Sequence, residues 1–161
     1  MLHVLKAYKY TLKIDTVCYL AIKMLKIIKT LHRAGLVHRD IKPDNIVLGQ
    51  NKHSSSFYLI DFGLSKKYMT DRGKHVVMKR DQPFIGSPGY ASCASHEGVT
   101  LSRKDDIESL FYTLVFLIKG DLPWYYIKNP KHTKEQRMEE MKKLKLNCTT
   151  SKICHRLPSM L

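Results

Sequence analysis

Apolar residues recur at helical spacing near the start of the chain. Asp15 and Thr16 are residue types that can cap a helix, and Gly35 is a natural helix end. Between them, one apolar face is formed by Val17, Leu20, Met24, Ile27, Ile28 and Leu31. This spacing predicts an α-helix over about residues 16–34.

Later patterns predict two short strands, at 46–48 and 57–60, and two more helices. Ser102, with Asp105 three residues on, can cap a helix over about 103–119 that ends at Gly120. That helix is apolar on nearly every side after its first turn, which is typical of a buried helix. A basic helix is expected over 134–146. Residues 64–100 show no periodicity, so we predict a mainly α fold with a few short β-strands.

Length and composition restrict the class of protein. The chain has 161 residues, 43% of them hydrophobic, which suits one folded domain. No apolar run is long enough to span a membrane. The four cysteines are widely spread and match no zinc-ligand pattern, so we expect reduced thiols in the cytoplasm or nucleus. The net charge of +14 favours an anionic partner: nucleic acid, acidic lipid, or acidic protein.

A polar loop interrupts the apolar pattern at residues 38–45. Pro43 excludes a regular helix here, and six polar or charged residues crowd around it: His38, Arg39, Asp40, Lys42, Asp44 and Asn45. Phosphoryl transfer needs a carboxylate for the acceptor hydroxyl, a cation for the moving phosphate and oxygen ligands for magnesium. This loop contains groups for each of these tasks.

Each task has a candidate residue. Asp40 suits the general base, and Lys42 can neutralise the γ-phosphate of a nucleotide. Asn45 offers an oxygen to magnesium, and Asp61, just after the second predicted strand, offers a carboxylate. Gly63 gives the backbone freedom for the turn that follows.

This sequence, H-R-D-x-K-x-x-N followed by D-F-G, resembles the catalytic loop and magnesium loop of eukaryotic protein kinases. The resemblance implies ATP and Mg²⁺ as cofactors and protein substrates. Lys42, two residues after Asp40, resembles the serine/threonine type. The stretches "DFGLSKKY", "GSPGYAS" and "SRKDDIESLFYTLVFLIKGDLPW" resemble the casein kinase 1 group, with its tubulin-kinase and vaccinia-related-kinase relatives. Residues 91–94, Ala-Ser-Cys-Ala, replace the usual Ala-Pro-Glu, as in that group.

The resemblance also implies supporting roles at matching positions. His38 resembles the spine histidine of the catalytic loop, and Phe62 resembles its stacking partner. Asp106 resembles the aspartate that anchors the catalytic-loop backbone. Ser87 stands where the family has a hydroxyl that bonds the catalytic aspartate and lysine.

Three further positions match nucleotide or anion contacts of the family. Val47 and Ile60 match the apolar floor under the adenine. Arg39 matches an arginine that can bind an anion on the activation segment. Gly89, however, occupies the place of an arginine that helps many casein kinase 1 members bind a phosphate. We therefore expect acidic substrates but little gain from a priming phosphate.

The resemblance runs over most of a kinase C-terminal lobe, so residues 1–161 are expected to form a partial protein kinase domain without the N-terminal lobe. Its parts are the helix at about 16–34, the catalytic loop 38–45, the magnesium loop 61–63, the activation segment at about 61–95, the buried helix at about 103–119 and a basic tail, 125–161. No glycine-rich loop or V-A-x-K lysine is present, so this chain alone should be inactive. The alternatives are a catalytically inactive interaction module and a basic nucleic-acid binder, the latter without a zinc-finger, RRM or KH signature. His32 is expected on the surface.

Overall fold

The computed structural model describes residues 11–49, 56–125, 132–155 and 157, and its regular structure is mainly helical with a few short strands. The predicted fold class is therefore confirmed. Part of the predicted basic tail, residues 126–131, 156 and 158–161, lies outside the described residues, as do residues 1–10 and 50–55.

The first described helix, α1, spans Ile14–Arg33 and buries Val17, Leu20, Met24 and Ile28, the apolar face of the sequence pattern. The expected capping by Asp15 or Thr16 is wrong, because both lie inside the helix. Lys13 precedes it without a side-chain cap. A carboxylate in the first turn still interacts favourably with the helix dipole. Gly35 follows the end of α1 with a φ of 79°, a left-handed conformation that glycine adopts without strain.

Four strands among the described residues form two small antiparallel sheets. Strand β1 (Leu36–Val37) pairs with β4 (Lys66–Lys67), and β2 (Ile46–Leu48) pairs with β3 (Phe57–Leu59). A short 3₁₀ turn, Pro43–Asn45, leads into β2. Strand β3 ends one residue earlier than the sequence predicts. The polar loop, residues 38–45, therefore lies between β1 of one sheet and β2 of the other.

Most of the segment 68–92 is irregular, as its sequence indicates, apart from a single bridge between Met69 and His75. A one-turn helix, α2 (Cys93–His96), follows, and the Ser92 side chain accepts a hydrogen bond from the Ser95 amide at its start. Ala94 and Ser95 of this helix are buried, so the C-terminal end of the aperiodic stretch is fixed against the protein interior.

The central helix α3 spans Arg103–Lys119, the bounds that the sequence predicts. Ser102 N–H donates to Asp105 Oδ2 at 2.7 Å, and Gly120 ends the helix at a φ of 73°. Leu110 and Leu117 pack with the buried face of α1 in one apolar cluster. Tyr112, Val115 and Phe116 pack in a second cluster with Trp124. From residue 108 to 120 every residue is buried or half-buried. Helix α3 therefore lies between the two clusters and contributes side chains to both.

Two helices follow the central one: α4 (Lys134–Leu146) and the short α5 (Thr150–Cys154). Thr133 and Gln136 form a reciprocal capping pair at the start of α4, which has the predicted bounds. No helix within the described ranges has the length and apolarity needed to cross a membrane. The four cysteines, all described, are free thiols.

Candidate active site

The first turn of α3 holds the backbone of the polar loop through one buried carboxylate. Asp106 is 1% exposed, and its Oδ2 and Oδ1 accept hydrogen bonds from the amides of His38 and Arg39, each at 2.9 Å. Arg39 has a φ of 70°, a conformation that non-glycine residues seldom adopt. Because two charge-assisted bonds oppose that backbone strain, the carboxylate fixes the direction in which the loop leaves the core.

His32 lies on the last turn of α1 and contacts the same carboxylate. Its Nε2 is 2.8 Å from Asp106 Oδ2, and its side chain is only 12% exposed. The expectation of a surface histidine is wrong. Its position at the C-terminal end of α1 brings it to Asp106 on α3, a contact between residues 74 positions apart. Sequence spacing gives no signal for such a contact.

The His38 ring joins the polar loop to the end of β3. Its Nε2 lies 3.2 Å from the Ile60 carbonyl oxygen, while its Nδ1 accepts a bond from the Asp40 amide at 3.3 Å. These partners require a neutral ring with the proton on Nε2. Burial lowers the pKa of His38, which favours the same neutral form. The Phe62 ring meets it edge to face at 5.1 Å, and Phe62 is itself half exposed.

Asp40, Lys42 and Ser87 form the centre of the site. Lys42 Nζ donates to Asp40 Oδ2 at 2.7 Å and to Ser87 Oγ at 2.9 Å, so the lysine joins the loop to the irregular segment. Asp40 is 7% exposed, and its Oδ1 is buried without a hydrogen-bond partner among the described residues. Burial alone would raise the pKa of Asp40, but the bond and the charge of Lys42, with Ser87 close by, lower it below its ordinary value.

Gly86 allows the close approach of Ser87 to the loop. It has a φ of 102°, and a Cβ there would lie 2.7 Å from the Arg39 carbonyl oxygen. Only glycine fits this position without displacement of the backbone. No role is predicted for Gly86 from the sequence. A glycine directly before Ser87 was the signal that could have revealed it.

Asn45 and Asp61 lie at the same end of the β2–β3 pair, Asn45 at the start of β2 and Asp61 beyond the end of β3. The Ile60 amide donates to the Asn45 carbonyl oxygen at 2.9 Å, which holds these two strand ends together. Asn45 Nδ2 donates to the Asp40 carbonyl oxygen at 2.8 Å, so the amide nitrogen faces the loop. Asp61 is exposed and has a φ of 65°.

Val47 and Ile60 share one face of the β2–β3 pair. Ile46 and Leu59 are opposite each other and belong to the core, so Val47, Tyr58 and Ile60 point to the other face. Tyr58 and Ile60 are 53% and 40% exposed. Tyr58 is an addition to the predicted set. The alternation of β3 around the buried Leu59 was the signal for it.

Arg39 lies beside a cationic cavity of about 530 Å³ at the start of the irregular segment. Its Nε donates to the Leu64 carbonyl oxygen at 2.5 Å. The other cations of the lining are Lys66, Lys67 and Lys79, and no Asp or Glu is found among the described residues of that lining. Four positive charges line this cavity, one of which, Lys67, pairs with Asp71 outside the lining. This excess of positive charge makes the cavity suitable for an anion.

The geometry therefore gathers the polar loop, the D-F-G turn and Ser87 into one centre held on a helical scaffold. A family model described as protein kinase domain matches residues 1–159. The chain belongs to the protein kinase family, and its mainly helical fold agrees with a kinase-like C-terminal lobe.

Proposed function

We propose that this chain is the catalytic part of a serine/threonine protein kinase of the casein kinase 1 group, which transfers the γ-phosphate of ATP to protein hydroxyls. One observation carries the proposal: the buried, unpaired Oδ1 of Asp40 beside a lysine that holds Oδ2. A buried acceptor oxygen without a hydrogen-bond partner costs free energy, and a donor group of a bound ligand would remove that cost. A substrate hydroxyl is such a donor.

In this mechanism Asp40 orients the acceptor hydroxyl and receives its proton. The hydroxyl oxygen forms a bond to the γ-phosphorus, the bond from that phosphorus to the bridging oxygen breaks, and ADP leaves. The low pKa of Asp40 keeps it ionised at neutral pH, so it can accept the hydrogen bond before transfer. Lys42 provides positive charge to the transferred phosphoryl group, and Ser87 keeps the Lys42 ammonium in place.

Asn45 and Asp61 are suited to holding Mg²⁺, the ion that neutralises the nucleotide phosphates in phosphoryl transfer. Mg²⁺ is usually bound by one or two protein oxygens, with water and phosphate as the remaining ligands. The Asn45 amide nitrogen is turned to Asp40, which leaves its oxygen for a cation, and the Asp61 carboxylate is exposed. Val47 and Ile60, on the exposed face of the β2–β3 pair, would lie against the adenine.

Serine/threonine specificity and the casein kinase 1 group rest on the family resemblance. Lys42 follows Asp40 by two residues, and it bonds both Asp40 and Ser87, the arrangement that the resemblance implies. The stretch 91–94, Ala-Ser-Cys-Ala, leads into α2 in place of Ala-Pro-Glu.

The test provides a glycine-rich loop and a strand lysine, which residues 1–161 do not contain. The N-terminal lobe of a casein kinase 1 enzyme is fused in front of residue 11, and casein is assayed with Mg-ATP. We expect phosphoserine and phosphothreonine, and Asp40→Asn should lower the rate about 10²–10⁴-fold. Phosphotyrosine as the main product, or an Asp40→Asn variant with full activity, would contradict the proposal.

We further propose acidic substrates without strong phosphate priming. The net charge of +14 attracts acidic peptides, whereas Gly89 provides no guanidinium to grip a phosphate. In the same fusion, Gly89→Arg should raise the rate ratio of a phosphoserine peptide to an Asp/Glu peptide. Gly89→Ala is the control, because its Cβ would meet Tyr125 at 3.3 Å without adding charge. An unchanged ratio in Gly89→Arg would exclude this residue as the determinant.

A further inference from the structure

Lys145 differs from the other basic residues of α4 in its burial. It is 3% exposed, whereas Lys143, two positions earlier, has a side chain that is 70% exposed. Burial of a lysine is costly unless its ammonium finds partners. Its Nζ donates to the Ala91 carbonyl oxygen at 2.5 Å, and none of the described ion pairs includes it.

Two aromatic rings supply the rest of its environment. Nζ lies 4.8 Å from the centroid of the Tyr112 ring and 4.9 Å from that of Trp124. At these distances the faces of the rings attract a cation. Trp124 is completely buried, and its Nε1 donates to the Gly89 carbonyl oxygen at 2.8 Å. Lys145 and Trp124 thus bond two carbonyls of one short segment.

That segment is the turn formed by residues 87–91, which we call the 87–91 turn. The amides of Tyr90 and Ala91 both donate to the Ser87 carbonyl oxygen, at 2.9 and 2.8 Å. At the other end of the turn, Ser87 Oγ accepts the bond from Lys42 in the candidate active site. The turn is therefore held from the catalytic loop on one side and from α4 on the other.

We infer that Lys145 is a positioning residue: its ammonium, held between Tyr112 and Trp124, fixes the 87–91 turn through the Ala91 carbonyl. That this turn receives the substrate peptide rests on the proposed kinase function. The contact itself does not, because it is a property of the fold.

The charge on Lys145 is sensitive to pH near neutrality. Burial lowers its pKa to about 7, while Cys93 and Glu108 favour the charged form. The titratable and charged groups near it on the packed helices are Cys93 and His96 of α2, Glu108 and Tyr112 of α3, and Lys142 of α4. Loss of the proton leaves an amine that does not attract the rings and makes a weaker bond to Ala91, but it also removes the cost of a buried charge. The hold on the turn should therefore change as the pH passes through this range.

The chain contains a single tryptophan, Trp124, whose fluorescence reports directly on the ammonium beside it. We expect its emission to titrate with a midpoint near pH 7 in the wild type and in the control Lys143→Met, which changes an exposed lysine of the same helix. Lys145→Arg keeps the cation but cannot lose its proton in this range, so the titration should vanish. A titration that persists in Lys145→Arg overturns the inference, whether or not Lys145→Met folds.

Hydrogen exchange of the Tyr90 and Ala91 amides measures how readily the 87–91 turn opens, because both amides donate to the Ser87 carbonyl oxygen. A hydrogen bond from a charged donor contributes about 1.5–3 kcal/mol, so Lys145→Met should raise their exchange at least about tenfold. Lys145→Arg should restore most of the protection, and amides of α1 should be unaffected in every variant. Exchange of the turn that is equal in the wild type at pH 6 and pH 9, after correction for intrinsic rates, overturns the inference. None of these measurements depends on phosphotransfer, so failure of the kinase proposal is distinguishable.

Discussion

Removal of the Asp106 carboxylate should destabilise the protein more than any surface change, because one side chain accepts three hydrogen bonds. Its acceptors bond the amides of His38 and Arg39 and the ring of His32. In Asp106→Ala both amides lose their partner inside the protein. Each unsatisfied buried group costs about 1–3 kcal/mol, so the expected loss is about 2–6 kcal/mol. That is a large fraction of the roughly 5–15 kcal/mol by which a domain is stable.

Urea unfolding followed by Trp124 fluorescence measures this loss. Asp106→Asn keeps one acceptor oxygen, so it should lose about half as much free energy of unfolding. Asp71→Ala is the control: Asp71 is 91% exposed and pairs with Lys67 on the surface, where such a pair contributes about 0–1 kcal/mol. The reasoning is refuted if Asp106→Ala and Asp71→Ala unfold at the same urea concentration.

Three further predictions concern the site, the pH dependence and activity. Gly86→Ala should lower the melting temperature more than Gly73→Ala. Both glycines have a positive φ, but of the two only Gly86 would place a Cβ against backbone, that of Arg39. Equal shifts of the melting temperature would contradict the close approach of Gly86 to Arg39. Burial lowers the pKa of His38, and it lowers that of His96 to about 4. Below about pH 6.5 the unfolded chain therefore binds more protons than the folded one, and the free energy of unfolding should fall as the pH drops from 6.5 to 4. The urea midpoint of His96→Gln should depend less on pH than that of the wild type. Residues 1–161 alone, which contain no glycine-rich loop, should show no phosphotransfer to casein with Mg-ATP; activity that Asp40→Asn abolishes would prove this chain sufficient.

The sequence was most informative where local rules decide the structure. Helix α3 begins and ends where Ser102 and Gly120 predict, because capping and the left-handed helix end are properties of a few consecutive residues. The candidate groups of the polar loop could also be named from the sequence, because they lie within eight consecutive residues, 38–45. The start of α1 was less certain, since Asp15 and Thr16 are acceptable both as caps and within a first turn.

Contacts between distant residues account for what the sequence did not reveal. Strands β1 and β4 have two residues each, too few to show any alternation. Lys145 lies in a helix rich in lysine, where solvent exposure is the usual expectation, and only the packing of α4 against α2 and Trp124 buries it. The role of Gly86 depends likewise on an approach to Arg39 across 47 positions of the chain.

The sharing of α3 between the two apolar clusters has a consequence for how the molecule opens. Leu110 and Leu117 belong to the first cluster, and Phe116 belongs to the second. A displacement of α3 that disrupts the packing of one cluster therefore also disrupts the packing of the other. The loop that carries Asp40 depends on the first cluster, and the 87–91 turn depends on the second. The Asp40 loop and the 87–91 turn should therefore open and close as one cooperative unit, and a mutation in either cluster should raise the exchange of both segments.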